Sequence, residues 1–168
     1  MQRLTILAAA CMLAGCASSN AVETSGKIGV PIAEVPAAVL AAATAARPSF
    51  RFAEAERETR DGRRYFDVGG TLADGSEVEF DLMEEGGRWR VVEIQRDLQL
   101  SGLPTAVRDA ARRHDAAFAP ARIIESDQTD GIVIYELFGP KGGDPQGRKV
   151  EIKWDGSRAE VLTKEWAH

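Results

Sequence analysis

Cysteine is nearly missing from this chain: there are two, Cys11 and Cys16, and none beyond position 16. Everything after Cys16 therefore folds without an internal disulfide, a cysteine nucleophile or a thiolate metal ligand, and packing alone must hold it. Histidine is as scarce, with His114 inside a helical pattern and His168 far downstream. A two-histidine metal motif, a serine nucleophile elbow and a phosphate-cradling glycine loop are all absent as motifs. There is no excess of basic charge, since 21 Lys and Arg stand against 26 Asp and Glu and the sequence pI is 5.2. That excludes the basic stripe with which nucleic-acid binders displace counterions. No apolar run approaches the roughly 20 residues that span a bilayer as a helix. The 168 residues, 44% of them hydrophobic, are enough for one domain or two small ones with a real core, and too apolar for wholesale disorder.

The start of the chain differs in kind from the rest. Arg3 is the only charge among the first 15 residues, and residues 4–13 form an almost unbroken apolar run, the length of the central region of a secretory signal. The run closes on Leu13-Ala14-Gly15-Cys16, which resembles the lipobox of bacterial lipoproteins. The resemblance implies that residues 1–15 are a signal peptide and that Leu13, Ala14 and Gly15 are read by the lipoprotein signal peptidase. It further implies that the Cys16 sulfur receives a diacylglyceryl group and that Cys16 becomes the acylated first residue. One acyl chain binds a membrane only marginally, whereas several anchor it firmly. Ala17, standing where an Asp would retain such a protein at the inner membrane, implies an outer-membrane anchor facing the periplasm. The alternative is an ordinary cleaved signal, with Ser19-Asn20-Ala21 as the small-residue site. Residues 16–29 are small, polar and aperiodic, which predicts a flexible tether reaching at most about 45 Å.

Beyond the tether the chain is similar to itself. Val35-Pro36-Ala37-Ala38-Val39 answers Leu103-Pro104-Thr105-Ala106-Val107, Asp61-Gly62 answers Asp130-Gly131, Tyr65 answers Tyr135 and Val78 answers Val150. Each half opens on a helix pattern with a proline at its start. Ala106, Val107, Ala110, Ala111 and His114 line one stripe of the second helix, and alanine propensity carries the first from Pro36 to about Ala46, ending before Pro48. Alternating strands follow over 52–59, 63–71, 77–82 and 89–96, and again over 123–126, 132–138, 149–154 and 158–164, with Asp-Gly turns between them. The pattern predicts an α+β fold of two repeats, 30–100 and 101–168. Each is expected to be one helix followed by a four-stranded antiparallel meander, with the helices on one face of the sheet.

A lipobox followed by two such units, each with a proline-initiated helix (Pro36, Pro104) and an Asp-Gly hairpin (Asp61-Gly62, Asp130-Gly131), resembles the bacterial PepSY-like family, akin to the tandem-repeat beta-lactamase inhibitory proteins. The resemblance implies a periplasmic binding or inhibitory module with no catalytic residues, and its motif positions are structural. The long glycine-rich stretch 139–147 departs from the compact family pattern.

Tests for chemistry return little. Reading 126–131 as a calcium loop puts Leu137 where a bidentate carboxylate is required, so the loop reading fails and an Asp-Gly turn is expected. His114 is expected as a half-buried helix residue. Trp89, Tyr65 and Tyr135 are candidate interface anchors or core. The clearest chemical pattern is acidic: Glu54, Glu56 and Glu58 alternate along one strand and Glu77, Glu79 and Asp81 along another. Two such rows on one sheet face form a candidate binding face for a cation or a basic peptide, or else a solvated surface with cross-strand pairing. No catalytic residue, metal ligand or cofactor is assigned. The expectations are a non-catalytic binding module or inhibitor-like partner of an envelope protein, held to the membrane through acylated Cys16. The alternative is an envelope structural or stress lipoprotein binding cations or basic peptides on the acidic face.

Overall fold

The computed structural model describes residues 25–166 apart from Gly142. Leu13, Ala14, Gly15, Cys16 and His168, with the expected signal peptide and the first part of the expected tether, lie outside the described residues. The chain runs through β1 (Ser25–Gly29), a short 3-10 turn (Ile32–Glu34), α1 (Ala37–Ala46), β2 (Arg51–Arg60), β3 (Arg63–Thr71), β4 (Glu77–Glu85) and β5 (Arg88–Asp97). A second 3-10 turn (Leu100–Gly102) leads into α2 (Thr105–His114), β6 (Arg122–Asp127), β7 (Val133–Lys141), β8 (Asp144–Trp154) and β9 (Ala159–Val161).

Local chemistry explains the elements. Pro36 and Pro104 immediately precede α1 and α2, where a missing N–H goes unnoticed because first-turn amides have no intrahelical acceptor. Arg47 caps α1 in an extended conformation just before Pro48. Asp61 and Gly62 both take positive φ, 54° and 73°, giving the tight hairpin between β2 and β3.

The strands form one antiparallel sheet of nine, in the order β1 to β9. This corrects the expected fold of two repeats, each a helix with its own four-stranded meander. The separation fails at the middle, where β5 pairs with β6 from Ile94↔Asp127 to Asp97↔Ile124. Pairing satisfies backbone groups that two separate sheets would have left as open edges. An unforeseen strand also forms, because Ser25–Gly29, read from the sequence as tether, adds to β2 as β1. The internal correspondences weaken too. Tyr65 packs with Met83 and Val92 on one side of the sheet, while Tyr135 joins the helix-side core on the other. In the turn before β7 the positive φ values fall on Thr129 and Gly131, with Asp130 left in ordinary conformation, unlike Asp61-Gly62.

Both helices lie over the same sheet face. Cross-strand partners run in one row through Val68, Phe80, Ile94, Asp127, Val133 and Trp154, and the core clusters straddle that row. Val39 and Ala43 of α1 pack on Phe50, Val68, Phe80 and Leu82. Val107 and Ala110 of α2 pack on Ile123, Leu137, Val150 and Ile152. Phe50 meets Phe52 and Phe80 edge-on, at centroid distances of 5.0 and 4.7 Å, an arrangement worth more than its area alone. Gly70 makes room for the Phe50 ring, since a Cβ there would stand 2.8 Å from Cζ.

Tyr65 and Tyr135 are buried, and Trp89 packs edge-on against Phe66 at 5.2 Å, so these aromatics serve packing. His114, the last residue of α2, is exposed and not half-buried as its stripe suggested. No helix among the described residues is long and apolar enough to cross a membrane.

Candidate functional site

The helix-free face of the sheet is where the unusual chemistry collects. Alternation along β4 sends Val78, Phe80 and Leu82 into the core and Glu79 and Asp81 to the opposite face. Along β3 the same alternation buries Phe66 and Val68 and sends Tyr65, Asp67 and Gly69 the other way. Register then sets Glu56 opposite Asp67, Asp67 opposite Asp81 and Asp81 opposite Glu93, so one row carries a carboxylate on each of four adjacent strands. In the next row Glu54 and Glu79 flank Gly69.

The acidic residues read from the sequence therefore share one face, but in two sets with β3 between them. Glu79 and Asp81 join Asp67 in a compact group in which one carboxylate oxygen from each residue lies within 4.8 Å of the other two. Glu54 and Glu56 stay exposed on β2, Glu58 sits across from Tyr65 beside Arg60, and Glu77 is exposed near the start of β4. Glu54, Glu77 and Glu79 line an open cleft of about 320 Å³ floored by Gly69 and Gly70.

Two members of the group escaped the sequence reading. Asp67, buried and central, is hidden between the apolar residues Phe66 and Val68. The signal was present in the period-two pattern of Tyr65, Asp67 and Gly69, but only the pairing of β3 with β4 places Asp67 against Asp81. The other is Lys27 of β1, whose Nζ reaches over β2 to Asp67 Oδ2 at 2.5 Å.

Electrostatics in the group are unbalanced. Burial pushes Glu79 up to about 7, and the neighbouring Asp67 charge adds to this, while Lys27 opposes it. Burial also holds Asp81 well above the usual carboxylate range, reinforced by Asp67, Glu93 and Glu79. Burial works against the charge of Lys27, yet attraction from Asp67, then from Asp81 and Glu79, leaves its ammonium harder to deprotonate than a free lysine. Asp81 Oδ1 is sealed from solvent with no hydrogen-bond donor in reach, a costly condition for a carboxylate oxygen. Such a group holds protons tightly and attracts cations.

Farther along the same face a second carboxylate pair is treated differently. Glu136 of β7 stands opposite Glu151 of β8. Lys149, also on β8, reaches both, at 3.6 and 2.8 Å, and meets Glu165 at 3.2 Å. Trp166 closes over this region, its backbone N–H donating to Glu151 at 2.8 Å and its indole N–H donating to Gln128 at 2.7 Å. Gln128 in turn donates to Glu93, and the Ser126 hydroxyl donates to the same carboxylate.

No family model matches the chain, nor does any curated protein or solved structure.

Proposed function

We propose that this protein is a non-catalytic binding module of the bacterial envelope, lipid-anchored through Cys16, that takes up cationic ligands on the acidic face of its sheet. The observation that carries the reading is the row Glu56, Asp67, Asp81 and Glu93, one carboxylate on each of four adjacent strands, which the Lys27 ammonium meets at Asp67. Charge of one sign gathered on four neighbouring strands costs stability unless a cation offsets it. An apolar protein interface is less well supported. Among the described residues the exposed large hydrophobic side chains are Ile28 and Leu100, which is too little for a hot-spot patch.

The test is calorimetric titration of the full chain with a decalysine peptide, with decaglutamate as control. Decalysine is expected to bind, to weaken as salt is raised from about 20 to 150 mM because partly exposed charges are screened over that range, and to lose affinity in Asp67→Asn. No difference between the two peptides would overturn the reading. The anchor is checked separately by intact mass of the native protein, where an unmodified Cys16 removes that part of the proposal.

A further inference from the structure

Among the features of this face, the Asp67, Glu79 and Asp81 group stands apart in having its counter-ion brought from outside the neighbouring strands. We propose that these three carboxylates form a calcium site that Lys27 holds shut, and that calcium opens it by displacing Lys27 and loosening β1. The inference rests on the reading of the acidic face as a cation-binding surface and names the ligand it is built to take.

Coordination chemistry favours calcium over magnesium. Magnesium demands near-ideal octahedral geometry and sheds its water reluctantly, whereas one oxygen from each of three carboxylates on paired strands suits the looser shell of calcium. Calcium takes six to eight oxygens in flexible geometry, and three carboxylates leave positions for water.

The second observation is the orphaned oxygen. Asp81 Oδ1 is shut away from solvent, has no donor, and belongs to the group itself. Lys27 answers Asp67 and leaves this oxygen unanswered. A divalent ion touching all three carboxylates would supply the charge that this carboxylate lacks.

The third is the contrast with the pair Glu136 and Glu151. There, the residue two before Glu151 on the same strand is Lys149, which reaches both carboxylates and closes the pair internally. The residue two before Asp81 is Glu79. Where one pair carries a built-in lysine, the other carries a third acid, and its ammonium comes from the edge strand.

That edge strand is poorly fastened. β1 is five residues long, pairs only with β2, and slips register between Ser25 and Ile28, next to Lys27. Ile28 is exposed and belongs to no core cluster, so withdrawing β1 removes no core side chain. β1 is the last part of the span 16–29 that the sequence predicts as tether, so its release by calcium would return Ser25–Gly29 to that tether.

The experiment is titration of the full chain with calcium chloride, and separately with magnesium chloride, in wild type, Lys27→Met and Asp81→Asn. Lys27→Met should bind calcium at least tenfold more tightly than wild type, because no ammonium competes. Asp81→Asn should bind at least tenfold more weakly, and magnesium should bind more weakly than calcium throughout. Equal affinity in wild type and Lys27→Met, or calcium binding unaffected by Asp81→Asn, overturns the proposal. Should Lys27→Met fail to fold, hydrogen exchange on wild type decides: calcium should speed exchange at Ile28 and Gly29 while β3 and β4 stay protected, and unchanged exchange at β1 overturns the displacement. If decalysine binds and calcium does not, the calcium assignment falls while the cationic-ligand reading stands. If neither binds, both fall.

Discussion

Replacing Glu79 with Gln isolates the cost of crowding carboxylates on this face. Burial, with help from Asp67, Glu56 and Glu54 and against Lys27, raises the Glu79 carboxyl from 4.5 to about 7. At about 1.4 kcal/mol per pH unit, this corresponds to roughly 3 kcal/mol. The sign follows from proton counting. Between pH 4.5 and 7 the folded chain holds a proton on Glu79 that the unfolded chain has released, so stability falls as pH rises through this window. The penalty is absent below the window and complete above it. Gln matches the protonated carboxyl in shape and never ionises. Wild type and Glu79→Gln should thus be equally stable near pH 4.5 and differ by about 3 kcal/mol, in favour of the variant, at pH 8. Urea unfolding followed by tryptophan fluorescence at several pH values measures this difference directly. Parallel pH profiles for the two proteins would refute the reasoning, because Glu79 would then titrate alike in folded and unfolded chains.

Other perturbations have equally definite outcomes. Gly70→Ala should cost about 3 kcal/mol in urea unfolding by overpacking, since its Cβ would press on the Arg51 carbonyl and the Phe50 ring. Gly26→Ala, with nothing within 4 Å of its Cβ, should change stability by less than about 0.5 kcal/mol. Lys149→Met should destabilise the fold by roughly 3 kcal/mol, because it strands Glu136 and Glu151 without their counter-ion. A thermal-melt series across pH should then show the loss shrinking in acid, where Glu136, already raised by burial, takes up a proton. Trp166→Ala should cost about 2 kcal/mol through the lost indole donation to Gln128 and stacking on Lys153. Denaturation curves that superimpose on wild type would show that Trp166 merely rests on the sheet.

Much of the local structure was readable because it depends on neighbours in sequence. Pro36 and Pro104 marked the helix starts, Asp61-Gly62 marked a hairpin, and β3 came out with the boundaries its alternation predicts. The alternation of Glu77, Glu79 and Asp81 also told correctly which residues leave the core. β1 was missed because five residues, Ser-Gly-Lys-Ile-Gly, carry no periodicity and form a strand only by borrowing the open edge of β2. The separation into two repeats failed for a related reason. Sequence similarity between halves says nothing about whether β5 and β6 pair, and unsatisfied strand edges decide that they do.

The sequence by itself determined which side chains alternate, where helices begin, that charge is mildly acidic, and that no thiol chemistry operates beyond Cys16. Only the tertiary structure decided that Asp67 stands between Glu56 and Asp81, that Lys27 crosses a strand to reach it, and that Glu136 and Glu151 receive a lysine of their own. Periodicity assigns a residue to a face within its own strand. Which carboxylates then become neighbours depends on cross-strand register, which is set by how the hydrophobic partners on the far face interlock over the helices.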